Sequence, residues 1–84
     1  MAVHLNLREM RKVELHEKAI VTLKLIKIAR KRKDIVYDTY RKSFHIETNN
    51  YMDKMYARIE ILDTCIDRLK NRYNNLIKEI CMLS

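Results

Sequence analysis

A chain of 84 residues that contains neither glycine nor proline has few ways to reverse direction. Average usage would put roughly ten such residues in a chain of this length. β-Sheets need tight turns, and those turns draw their special dihedrals from Gly, Asn and Pro. Without two of the three, the chain reads as all-α with very few turns.

The second half carries the clearest pattern. Met52, Met55, Ile59, Leu62, Ile66, Leu69, Tyr73, Leu76, Ile80 and Leu83 follow one another at spacings of 3 and 4 in strict alternation. That is the repeat of a coiled-coil seam, with Met52 opening an a position and Met55 a d position. β-Branched a and Leu d residues would suit a parallel pair of identical helices. The flanks argue against that pair, because only Arg58 with Asp63 would attract across it. Tyr51, Tyr56 and Ile77 also widen the apolar stripe, which suits a helix with more than one neighbour.

The first half is helical but less regular. One stripe runs Leu15, Ala19, Thr22, Ile26, Ala29, Lys33, Val36, Tyr40 and Phe44. A second runs Val21, Leu25, Ile28, Arg32 and Ile35. A polar ridge of Glu14, Glu17, Lys24, Lys27, Lys31, Asp34, Asp38 and Arg41 lies apart from both. So broad an apolar arc predicts cover on two sides.

Between the halves, HIETNN at 45–50 is the one cluster of turn-tolerant residues. Asn can end a helix in the left-handed region, and Asn or Thr can cap the next. Asn50 is the expected cap, with Asp53 in the favourable first turn. The expectation is a single domain over residues 1–84: helix 1 about 5–44, a turn about 45–50 and a coiled-coil helix 2 about 51–83. The predicted fold is a two-helix antiparallel hairpin with coiled-coil packing. So small a unit buries little core, and its spare apolar surface predicts assembly as a dimer into a four-helix bundle, or docking onto another helical protein.

Several function classes fall away. His4, His16 and His45 have no partners at zinc-ligand spacing, and no Glu-x-x-His pair of a di-iron bundle is present, so no metal is expected. Asp34 with Asp38, and Asp63 with Asp67, are carboxylates one helical turn apart among basic residues, which is the ordinary pattern of a solvated face. A hairpin offers no cleft for acid–base work, and Cys65 has no His placed to activate it. With no Gly there is no phosphate-cradling loop and no nucleotide cofactor is expected. The chain reads as not an enzyme, with no catalytic residue, cofactor or small-molecule substrate. Cys65 and Cys81, sixteen residues apart on one helix, would lie about 24 Å from each other and cannot bridge. The most apolar run, 19–29, is short and interrupted by Lys24 and Lys27, so it cannot span a bilayer. Reduced thiols and no visible secretory signal point to an intracellular protein, cytoplasmic or nuclear.

Charge supplies the remaining candidate. Of the formal net +7, residues 1–50 carry +6, and Arg30, Lys31, Arg32 and Lys33 are consecutive. Lys24, Lys27, Arg30, Lys31, Arg32, Lys33, Arg41 and Lys42 could contact an anion or nucleic acid, and Arg8, Arg11 and Lys12 extend the set. On a helix, four consecutive side chains point in four directions about 100° apart, which disperses the cluster. Arg32 and Lys33 fall within apolar stripes and must snorkel outward. A basic segment followed by a zipper is also the order of bZIP factors. Here, though, the segment is apolar at Val21, Leu23, Leu25, Ile26 and Ile28, and it lacks the family's Asn-containing signature. None of that family's base-contacting roles carries over.

The leading expectation is thus a non-enzymatic interaction and oligomerisation module: a small helical adaptor, scaffold or inhibitor acting through coiled-coil seams. Its interface would comprise the ten seam residues Met52 to Leu83 together with Leu15, Ala19, Ile26, Ala29, Val36 and Tyr40. The alternative is a basic nucleic-acid-binding regulator using helix 1.

Overall fold

The computed structural model describes residues 6–43 and 48–83, and these form two helices, α1 (Leu7–Ser43) and α2 (Asn49–Met82). Each helix begins where a side chain can satisfy an orphan amide. Asn6 Oδ1 accepts the Glu9 N–H at 2.8 Å, and Glu9 sits in the positive first turn of α1. Arg41 and Lys42 complement the carbonyl end. At the start of α2 the cap is Thr48, not Asn50. Thr48 is extended (φ −69°, ψ 155°), and its hydroxyl accepts the Tyr51 N–H at 3.4 Å. Thr and Asn cap comparably well, and Thr48 comes first with the required backbone, so Asn49 and Asn50 join the helix and no acidic residue occupies its first turn. Residues 44–47, which hold part of the expected turn and Phe44 of the first stripe, lie outside the described residues, as do His4 and Leu5.

The two helices pack against each other in antiparallel fashion. Arg8 Nε donates to the Leu83 carbonyl at 2.8 Å, Arg11 lies 3.4 Å from Glu79, Lys33 pairs with Asp63, and the Tyr40 ring lies tilted beside that of Tyr56. As residue numbers rise along α1 they fall along α2. The Arg8 guanidinium thereby covers a carbonyl at the negative end of α2, where a cation is favoured.

The first α1 stripe and the α2 repeat form the shared seam. Leu15, Ala19, Thr22, Ile26 and Ala29 are buried on α1, and Met52, Met55, Ile59, Ile66, Leu76 and Ile80 on α2. A buried cluster lies toward the N-terminal part of α1 and the C-terminal part of α2. There Leu15 and Ala19 cluster with Leu76 and Ile80, flanked by Tyr73, Ile77 and Leu83. Thr22 is the one buried polar side chain among the described residues, and it donates its hydroxyl to the Lys18 carbonyl at 2.7 Å. The donor therefore stays satisfied inside the seam.

The molecule is one helix thick. Its extents are 67 × 24 × 14 Å, and a helix with its side chains is about 10–12 Å across. Its Cα radius of gyration is 19.4 Å, against about 12 Å for a compact domain of this length. Accessible surface totals 7089 Å², whereas a compact 10.2 kDa monomer exposes about 5,300 Å². Stable domains bury their apolar faces between at least two layers; here a single layer leaves both broad faces open.

Candidate interaction surface

The seam divides the hairpin into two broad faces of different chemistry. On α1, Arg32, Ile35 and Val36 lie about half a turn around the helix from Arg30, Lys33 and Asp34. On α2, Arg58, Ile61 and Leu62 stand in the same relation to Asp63, Asp67 and Lys70.

One face is polar and internally paired. Arg30, Lys33, Asp34, Asp63, Ile66, Asp67 and Lys70 line a shallow groove of about 290 Å³. Lys33 occupies a seam position but reaches sideways to Asp63. That hydrogen bond, with the negative charges of Asp63, Asp34 and Asp67, holds its ammonium above the usual lysine range. Toward the turn the same face carries aromatic contacts, with ring centroids 6.5 Å apart for Tyr37 and Tyr40 and 6.3 Å for Tyr40 and Tyr56.

The opposite face is an apolar groove with a basic rim. Arg32, Ile35, Val36, Arg58, Ile61 and Leu62 line a depression of about 380 Å³ between the helices. It continues through Ile61 into a larger one of about 700 Å³ along α2, lined by Ala57, Glu60, Ile61, Thr64, Cys65, Arg68, Leu69 and Arg72. Val21, Leu25 and Ile28 extend the aliphatic floor along α1, since each lies within about 40° of Arg32 around the helix. All three are exposed, as are Ile35 at 60% and Ile61 at 68%.

In the register set by Lys33 and Asp63, Lys33 stands across from Leu62, and its ammonium pairs with Asp63. Leu62 and Val36 are half-buried and line the inter-helix depression.

The residues expected to form an interface divide in two. Met52, Met55, Ile59, Ile66, Leu76, Ile80, Leu15, Ala19, Ile26 and Ala29 are buried within one chain, holding α1 to α2. Leu62, Leu69, Tyr73, Leu83, Val36 and Tyr40 are half-buried at the seam margins. The basic candidates are dispersed. Lys24, Lys27, Arg30, Lys31, Arg32, Arg41 and Lys42 are exposed around α1, Lys33 is engaged by Asp63, and Lys42 pairs with Asp38 at 2.9 Å. That pairing pulls the Asp38 carboxyl below its ordinary pKa. Arg8 and Arg11 serve to clasp α2. Asp63, tested above against Arg58 of a parallel partner, instead meets Lys33 of its own chain.

What the interface set omits is Ile61, the residue shared by the two grooves. It stands outside the 3–4 repeat, and its one sequence signal is an aliphatic side chain next to Leu62 on an otherwise polar flank. Cys65 and Cys81 are both exposed free thiols. Among the described residues no three His, Cys, Asp or Glu side chains are placed to hold a metal ion, and no helix is long and apolar enough to cross a membrane. No protein family matches the chain, and neither a curated protein nor a solved structure shows significant similarity to it.

Proposed function

We propose that this protein is a non-enzymatic interaction module, a helical hairpin acting through coiled-coil seams. The first seam holds the hairpin together, and the second, along Val21, Leu25, Ile28, Ile35 and Ile61, receives a further helical element. One observation carries this reading: the hairpin exposes roughly 1,800 Å² more surface than a compact monomer of its mass, and one open face carries a groove with an aliphatic stretch between the helices. A standard protein interface takes about 800 Å² from each partner, so the open face is large enough for one. A second hairpin would complete a four-helix bundle, and a single foreign helix a three-helix one. An adaptor, a scaffold piece or an inhibitor that covers another protein's helix would all work this way.

Sedimentation equilibrium of the purified chain, with and without amphipathic helical peptides, tests the proposal. Self-association or peptide binding that Ile61→Lys abolishes is the expected result. A stable monomer that binds no helix overturns it.

A further inference from the structure

Building on that reading, we infer that the groove between Ile35 and Ile61 takes an acidic amphipathic helix from a different protein, in preference to a second copy of this chain. The rim is the reason. Arg32 and Arg58 line the inter-helix depression from opposite helices, and Arg68 and Arg72 line its continuation. Among the described residues none of these four guanidiniums has an ion-pair partner. The one carboxylate lining either depression is Glu60. Elsewhere the chain does neutralise its cations across the helices, with Lys33 on Asp63 and Arg11 on Glu79. At the groove it sets Arg32 and Arg58 on facing helices, an arrangement that repels within the hairpin.

A copy laid groove to groove would bring two such rims together, and each chain already carries a net charge of +7. Like charges juxtaposed at an interface oppose association strongly. A helix with Leu or Ile at i, i+3 or i+4, and i+7 would lay its stripe on Ile35, Val36, Ile61 and Leu62. Asp or Glu at its flanking positions would meet the arginines, whose planar forks suit carboxylates. The floor also argues against nucleic acid. Between the helices it is aliphatic, and no aromatic ring lines either depression to stack on a base.

The test uses the full chain and three probes. Two are synthetic helices of roughly 28 residues, four heptads, that share one Leu/Ile stripe and carry either Glu or Lys at every flanking position. The third is single-stranded oligo-dT. Fluorescence anisotropy should show the Glu peptide binding at least about tenfold more tightly than the Lys peptide, with affinity falling as salt rises. The double variant Arg32→Glu, Arg58→Glu changes only exposed side chains and should reverse that preference. Bound Glu peptide should slow alkylation of Cys65, which lines the groove, and leave Cys81 unaffected. Equal binding of both peptides overturns the inference, as does oligo-dT binding that the double variant abolishes. A peptide-free dimer with Cys65 already protected also overturns it, in favour of a second copy, while leaving the interaction-module reading intact. A monomer that binds none of the probes overturns both.

Discussion

The two broad faces of this hairpin are built from the same helices, yet they are finished differently. On one, Lys33 and Asp63 pair, Arg30 and Lys70 balance Asp34 and Asp67 in number, and tyrosines pack toward the turn. On the other, aliphatic residues line a groove and arginines face one another across it. A face whose charges are matched within the chain can rest against water. A face whose apolar floor and like-charged rim are both unmatched is the one to which we assign the proposed partner. Burial alone would miss this contrast, because both faces are largely exposed.

The sharpest way to break the comparison is to shorten one isoleucine beneath each face. Ile66 is 5% exposed under the paired face and Ile61 is 68% exposed on the groove. Ile66→Ala should cost about 2–5 kcal/mol in urea unfolding, whereas Ile61→Ala should stay within about 0.5 kcal/mol. An Ile61→Ala loss as large as that of Ile66→Ala would show that the groove is already covered, and the two faces would no longer differ.

A smaller effect is expected from Lys33→Leu. Leucine would fill the seam opposite Leu62 in place of a side chain whose ammonium pairs with Asp63, so the urea midpoint should rise and the groove should narrow. A fall in the midpoint would mean that the Lys33–Asp63 pair matters more than the seam it interrupts. Arg58→Glu should be smaller again. It exchanges an Arg–Arg opposition for an exposed ion pair with Arg32, a gain of about 0.2–1 kcal/mol that should fade in high salt. The matching exchange on the paired face, Asp63→Lys, should lower stability, and equal responses at the two sites would erase the electrostatic contrast.

The pH response should be the smallest. Lys33 is shifted upward, so its contribution is complete below the unfolded-state lysine pKa and is lost as pH rises through the folded-state value. Asp38 is shifted downward, so its contribution is present above the unfolded-state carboxyl pKa and is lost as pH falls through the folded-state value. Asp63→Asn should lower the Lys33 pKa toward the ordinary one, and Lys42→Ala should raise that of Asp38, both readable by side-chain NMR titration. An unmoved Lys33 would detach the paired face from Asp63.

The helices were legible because their signals are local. A missing Gly and Pro, a 3–4 repeat from Met52 to Leu83 and turn-tolerant residues near 45–50 depend on neighbours in sequence alone. The cap was less so: Thr48 and Asn50 are both good capping residues, and which one caps depends on where the chain leaves its extended conformation. For the interface residues, periodicity showed which side chains seek cover and left open what covers them. Leu15 and Ala19 find Leu76 and Ile80 in the same chain. Ile61 was missed because a lone aliphatic residue outside the repeat looks like ordinary surface. It gains meaning only when Ile35, Val36 and Arg32 come to lie beside it.

The sequence by itself determined that this chain is helical, where its long amphipathic segments run and that its apolar stripes exceed what one seam can use. These follow from dihedral preferences and from the 3.6-residue period, which act over a turn or two. Only the tertiary structure decided which residues of the two helices face each other, that Lys33 pairs with Asp63 of its own chain, and that Arg32 and Arg58 share one rim. Those outcomes depend on the register between two distant segments, and register is set by packing and charge across the seam.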